Sequence, residues 1–259
     1  MTYAFEELLF SLIPMGTHRI PAGSIVSANK SAVHGLIMMK RLHVLGLFLA
    51  SIMMGPAGEL KPIPLPKPEF VGGKSLMEAI SLRKSTREFG PDRLALKTLG
   101  EILWAGFGIN RPNDARRTAP SAMNSQEVDL YLALPEALYV YEPKEHRLAP
   151  VLEGDFRGQT GQTFSKDAAA VIIYVADLSR LSKAKPETRL FYAGIDTGAI
   201  SQNVYLYCAS RDLATVVYDL NREPLAKAMK LNPSQQIILA QAVGYPKTIL
   251  PDGEKNQQK

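Results

Sequence analysis

Residues Ala169–Ala176 read AAVIIYVA, a continuous apolar run in an otherwise mixed sequence. A strand with one wet face alternates apolar and polar positions, so an unbroken run of this length suits a central strand covered on both sides. On its N-terminal side, Val128–Leu134 alternates as a strand, and Leu138–Tyr141 with Leu148–Leu152 reads as a hairpin turning through Pro143–His146. On its C-terminal side, Pro186–Ser210 predicts a long helix. Its apolar positions Ile195, Ala199, Ile200, Val204, Leu206, Tyr207 and Cys208 cover much of its circumference, which places it centrally or in a subunit interface. A strand at Thr215–Tyr218, a short helix at Pro224–Met229 and a strand at Gln236–Val243 follow, and the tail after Pro246 is polar.

Two helices precede these elements. Ser75 can cap a helix through Leu76, Ala79, Ile80 and Leu82, with Glu78 completing a capping box. Leu99, Ile102, Leu103 and Phe107 recur at helical spacing in Leu96–Phe107. A long polar loop is expected from Gly108 to Gln126, and loops of that length in compact domains are commonly functional. Strands and helices without regular βαβ alternation predict an α+β sheet layered with helices, and no internal repeat occurs.

The chain has 259 residues, 46 % apolar and 21 % charged, enough for one sizeable core or at most two. Its single cysteine, Cys208, excludes an intramolecular disulfide framework, an all-cysteine zinc site and an iron–sulfur cluster, and four histidines leave little for a metal site. Cys208 falls on an apolar helix and reads as packed rather than reactive. The net charge of +5 is dispersed, without the basic run that tracks a nucleic acid, so no nucleic-acid partner is expected.

From Met39 the sequence reads MKRLHVLGLFLASIMMGPAGE. Two cations, an apolar stretch Leu42–Met54 and small residues at Gly55 and Ala57 have the layout of a secretory signal peptide cleaved after Ala57. The stretch is short of the ~20 residues of a membrane span. Residues 1–57 are therefore expected as a misassigned start plus signal peptide, with translation beginning at Met38 or Met39 and export to the periplasm. A buried core helix at Leu42–Met54, in a cytoplasmic protein, is the alternative. Residues 58–74, with four prolines in Lys61–Phe70, are expected as an extended linker rather than helix or strand, 75–247 as the folded domain and 248–259 as a polar tail. Loss of residues 1–57 removes Arg19, Lys30, Lys40 and Arg41 with Glu6 and Glu7, which brings the charge from +5 to +3.

Two clusters can carry chemistry. Arg83-Lys84-Ser85-Thr86-Arg87 gathers three cations and two hydroxyls at the end of the first helix, a donor set that can grip a phosphate. The same cations could instead only complement the helix dipole. Arg117–Gln126 (RTAPSAMNSQ) offers small residues that let backbone approach a flat ligand, with Asn124 and Gln126 able to donate and accept along a heterocycle edge. Gly106-Phe107-Gly108 lacks the preceding strand of a dinucleotide fingerprint, and Gly154–Gly161 lacks the Lys-Ser/Thr ending of a P-loop. His146 reads as a solvated turn residue, and His18, His34 and His43 fall in the expected leader.

RKSTREF, then TAPSAMNSQ about 30 residues later, then AGIDTGAISQNVYLYCASRDL and a closing strand ending VGYPK together resemble the nitroreductase family of FMN-dependent enzymes. The hairpin ALYVYEPKEHRLAPVLEGDFR looks most like the SagB-type, thiazoline-oxidase-like branch. That branch usually has Gly-Ala after Pro-Ser, whereas Met123-Asn124 here follows the form of the nitroreductases proper.

The resemblance covers Ser75 to Lys247 and implies a mixed, largely antiparallel sheet layered with helices, in a homodimer with FMN at the interface. Arg83 and Ser85 would hold the FMN phosphate and ribityl chain, and Arg87 would approach the pyrimidine edge, where a fixed cation stabilises the negative charge of the reduced flavin. Pro120, Ser121 and Asn124 would lie along the flavin edge, Val217, Tyr218 and Asp219 beside the ring near N5, and Lys247 near the phosphate. The implied function is an FMN-dependent oxidoreductase with ping-pong transfer through N5 to a small organic acceptor, such as a nitroaromatic or quinone. A non-catalytic flavin-binding protein and a SagB-type oxidase or dehydrogenase are the alternatives. NAD(P)H is the expected donor in the cytoplasm, and another donor after export.

Overall fold

The computed structural model describes residues 60–248. The expected leader, with its apolar stretch Leu42–Met54 and cleavage point at Ala57, and the tail beyond Thr248 lie outside the described residues.

The run that opened the sequence reading becomes β7 (Ala170–Asp177), and its residues through Ala176 are buried. It is third from one edge of a seven-stranded sheet in the order β1-β6-β5-β4-β7-β9-β8. The other members are β1 (Ile63–Pro64), β4 (Val128–Ala133), β5 (Ala137–Glu142), β6 (Arg147–Glu153), β8 (Ala214–Tyr218) and β9 (Gln235–Gly244). Because side chains alternate across a strand, β7 feeds two cores. Ala170, Ile172, Tyr174 and Ala176 point to the face covered by α2 (Leu96–Phe107) and α3 (Pro186–Ser210). Val171, Ile173 and Val175 point to the opposite face, where Phe89, Phe156 and Leu225 close the second core. A strand with a dry environment on both sides has no position left for a polar residue, which is why its sequence does not alternate.

Every neighbouring pair in this sheet is antiparallel, so the sheet is wholly rather than largely antiparallel among the described residues. The remaining helices are α1 (Leu76–Leu82) and α4 (Arg222–Ala228). The Ser75 hydroxyl accepts from the Glu78 N–H at 3.3 Å, the N-cap that the sequence predicts for α1. On α3 the buried positions Ala193, Thr197, Ile200, Val204 and Cys208 form a stripe at helical spacing. Gly106 of α2 meets that stripe so closely that an added Cβ would lie 3.1 Å from Val204 Cγ2. The opposite side of the helix layer is apolar but uncovered: Leu76, Met77, Ile80 and Leu82 of α1 and Leu190, Phe191 and Ile195 of α3 are all exposed.

Three expectations are corrected. The proline-rich segment is not a free linker: Ile63 and Pro64 pair with Leu148 and Arg147 of β6, and Leu65 is buried in the first core. Proline is tolerated there because β1 is an edge strand, where a missing N–H costs no ladder bond. The folded part consequently begins before Ser75. His146 is not merely solvated, since its Nδ1 lies 2.9 Å from the Tyr141 hydroxyl and its Nε2 lies 2.9 Å from the Pro66 carbonyl, pinning that segment to the β5–β6 turn. The stretch 108–126 is not one irregular loop. It contains a small ribbon of β2 (Ile109–Arg111) with β3 (Arg116–Arg117), then a 3₁₀ turn at Ala122–Asn124.

Candidate active site

The five residues Arg83–Arg87 leave the end of α1 and run along the edge of the sheet. Thr86 N–H donates to the Thr215 carbonyl of β8 at 2.9 Å. Phe89 bridges to Pro246, and Lys247 N–H donates to the Glu88 carbonyl at 3.2 Å. Those backbone bonds bring Arg83, Lys84, Ser85, Arg87 and Lys247 to the walls of one open cleft of about 830 Å³, floored by Ala214 and Thr215. Two carboxylates also line it, Asp212 and Glu88, and Asp212 is engaged by Lys74 at 2.5 Å. Cations and hydroxyls at a common wall form a donor-rich site suited to a phosphate or another small anion.

Tyr205 of α3, which the sequence reading passed over, organises that wall. Its hydroxyl accepts from Val217 N–H at 2.9 Å and lies 2.8 Å from Ser85 Oγ. An oxygen that already accepts from an N–H is free to donate its own proton to Ser85, which leaves the serine proton free to donate into the cleft. The Arg83 guanidinium stacks over the same ring, 5.2 Å from its centroid. Nothing local in the sequence signals this, because Ser85 and Tyr205 are 120 positions apart.

The second cluster is built elsewhere in the chain. Pro120, Ser121 and Asn124 are not on the walls of the cleft; they belong to the turn that connects β3 to β4. Pro120 and Asn124 are exposed. Met123, Asn124 and Gln126 hold φ values of 55°, 54° and 48°, a concentration of left-handed backbone without a glycine. Two buried carboxyls sit beneath the turn. Asp196 of α3 accepts from Ala122 N–H at 2.7 Å, and Glu127 Oε2 accepts from the Ser121 hydroxyl at 3.2 Å. Burial, reinforced by Asp196, pushes the Glu127 carboxyl up to about 7. Asp196 did carry a sequence signal, a lone carboxylate amid AGIDTGAI, whereas Glu127 at a loop end did not.

The third set falls along and just beyond β8. Val217 contributes its N–H to Tyr205, as above. Tyr218 is turned into the second core, with its hydroxyl 2.8 Å from Thr160 Oγ1 and its ring edge-on to Phe164. Asp219 is exposed and pairs with Arg222 at 2.7 Å. None of the three lines the cleft. Cys208 is fully buried, and burial pushes its thiol up to about 12, as expected of a packed rather than reactive cysteine.

A family model described as the nitroreductase family matches residues 80–245, which span the Arg83–Arg87 loop, the turn before β4 and the closing strand. A protein named as a nitroreductase from Methanocaldococcus jannaschii is 28 % identical over 172 residues, covering 61 % of this chain and 84 % of the relative. A crystal structure titled as a nitroreductase from Ralstonia eutropha superposes with a TM-score of 0.71 at 40 % identity, over 74 % of this chain and 93 % of that one. A second, from Anabaena variabilis, shares the fold with a TM-score of 0.61 at 21 % identity, over 72 % of this chain and 42 % of that longer one. With the family model extending over more than half the chain, the chain belongs to the nitroreductase family, a family of flavin-dependent oxidoreductases.

Proposed function

We propose that this protein binds FMN in a homodimer and passes an electron pair to a small organic acceptor such as a nitroaromatic or quinone. The observation that carries the reading is the convergence of Arg83, Ser85, Arg87 and Lys247 on one cleft, although Lys247 lies far along the chain from the other three. FMN carries a phosphate that this donor set fits, and when bound it would supply hydride and electron chemistry at its N5. Arg83 and Lys247 would hold the phosphate by charge, and Ser85 would donate the proton that Tyr205 leaves free. Arg87 would hold a fixed positive charge against the ring edge where negative charge collects.

The turn of Pro120, Ser121 and Asn124 lies outside this cleft. Its participation is explained if it serves the cleft of a second copy. The exposed apolar residues of α1 and α3 support that pairing, because a monomer rarely leaves so many large side chains on one helix layer. The β5–β6 hairpin keeps a SagB-type oxidase or dehydrogenase as the subfamily reading. With residues 1–57 read as a leader, we place the working protein in the periplasm, supplied by a donor other than free NAD(P)H.

Purified protein is expected to be yellow, or to become so with FMN, to bleach with a reductant and to reoxidise on adding a nitroaromatic or quinone. Arg83→Ala combined with Lys247→Ala should abolish retention of FMN. Yellow protein that never turns over would favour a binding protein, and colourless protein that takes up no FMN would overturn the proposal. N-terminal sequencing from the native host tests the leader, and efficient turnover with NADPH by cytoplasmic protein would overturn export.

A further inference from the structure

We infer that Glu127 and Asp196 share a single proton and so latch the Pro120–Gln126 turn onto α3, acting as a positioning pair for whatever ligand that turn touches. Only the identity of the ligand rests on the FMN reading.

The pair is buried, Glu127 completely and Asp196 to 4 % exposure, and the two carboxyls hold adjacent residues of one turn, Glu127 the Ser121 hydroxyl and Asp196 the Ala122 N–H. Two ionised carboxylates so placed would repel in a medium that screens poorly, whereas one proton turns the repulsion into an O–H···O bond. Glu127 Oε1 is the site for that proton. It is buried and has no donor from the protein, while Oε2 accepts from Ser121 and Asp196 Oδ2 accepts from Ala122 N–H. Burial and the neighbouring Asp196 favour the neutral form of Glu127.

Cations do not take over this role. Arg117, from β3, directs its Nε to Gln126 Oε1 at 2.9 Å and its Nη1 toward the Phe107 carbonyl. Arg180, beyond β7, directs its Nη2 to Asp129 of β4 and its Nη1 to the Gln126 carbonyl, and its Nε lies 3.8 Å from the Asp177 carboxylate. Asp177 of β7 donates its N–H to the Glu127 carbonyl, and its own carboxylate is held by Ser179 and Ser234.

The latch closes both ends of the turn. Asp196 holds Ala122 at its start, and Ser121 joins Glu127 to the Gln126 N–H, which donates to Ser121 Oγ at 2.7 Å. Between these anchors lie the left-handed residues Met123 and Asn124. Backbone of that kind persists only where the surroundings over-determine it, and the carboxyl pair supplies the determination. Removal of the shared proton leaves two buried negative charges, and the turn is the element free to move away.

Three measurements on the full chain test this. Infrared difference spectra of the flavin-free protein should show the carbonyl stretch of a protonated carboxylic acid at about pH 6, lost on titration to about pH 8 and missing in Glu127→Gln. Exchange at the Ala122 amide, corrected for intrinsic rate, should accelerate on the order of tenfold over the same range in the parent and stay flat in Glu127→Gln, whose amide mimics the protonated form. Asp196→Asn, which also removes the charge clash, serves as the second variant and should be flat as well. FMN affinity should weaken on the order of tenfold with rising pH in the parent only. Absence of the acid band in the parent, or its persistence in Glu127→Gln, overturns the shared proton. A band with the predicted titration but an Ala122 amide and FMN affinity insensitive to pH overturns the positioning role. Failure to bind FMN at any pH overturns the cofactor reading instead, and the band and amide still decide the latch.

Discussion

Tyr205→Phe removes one oxygen and leaves the ring, so it isolates the hydroxyl that joins Val217, Tyr205 and Ser85. No cavity forms, and Arg83 keeps its aromatic platform 5.2 Å away. What is lost is the acceptor for a part-buried N–H, worth roughly 1–3 kcal/mol when it finds no substitute. For a domain of this size each kcal/mol moves Tm by roughly 2–4 °C, so a fall of about 2–12 °C is expected by differential scanning calorimetry. Ser85 simultaneously loses the group that orients its proton into the cleft. A single oriented hydrogen bond is worth about 1 kcal/mol net, which weakens FMN binding about fivefold in a fluorescence titration. Tyr205→Leu also loses the cation–π contact, worth roughly a further 0.5–1 kcal/mol at a partly exposed site, and should bind weaker again. A Tyr205→Phe protein with the parent's Tm and FMN affinity would refute the hydrogen-bond chain and leave the cleft to its cations alone.

Two further outcomes follow from the same structure. Burial lowers the pKa of His146 below its ordinary value, so the neutral ring is the native form; the stability it contributes is present above about pH 6.5 and is lost as pH falls through the lower folded-state value. Exchange at the Leu65 amide, which donates to the His146 carbonyl at 3.0 Å, should therefore accelerate beyond its intrinsic trend on acidification in the parent but not in His146→Asn, a residue that tolerates the positive φ of 46°. Equal behaviour of the two proteins would show that the ring does not hold the proline-rich segment. Cys208 should resist alkylation in the native protein at about pH 8 and react fully in denaturant, since burial keeps its thiol protonated; rapid native labelling would contradict the packed helix.

The elements were largely legible because their signals are local. The unbroken AAVIIYVA run is a strand with two dry faces, and Ser75 marks a helix start by accepting from the Glu78 N–H three positions on. The proline-rich segment misled because proline reports only what the chain cannot do on its own, and the structure gives it an edge position where those deficits cost little. Likewise His146 stands beside a solvent-facing turn in sequence, yet its partners come from Tyr141 and from Pro66, 80 positions away.

Residue types and their order were sufficient for an α+β fold, for the likeness to nitroreductases and for singling out Arg83, Ser85 and Arg87 as one candidate cluster, since composition, periodicity and motif spacing are written along the chain. Tertiary structure alone decided that Tyr205 orients Ser85, that Pro120, Ser121 and Asn124 stand away from the cleft, and that Glu127 and Asp196 hold the same turn. Each of those is a contact between distant positions, set by how the sheet edge, α3 and the turn before β4 pack. Packing also decides protonation: a carboxyl's charge depends on the water and partners it keeps, and no spacing in the sequence records either.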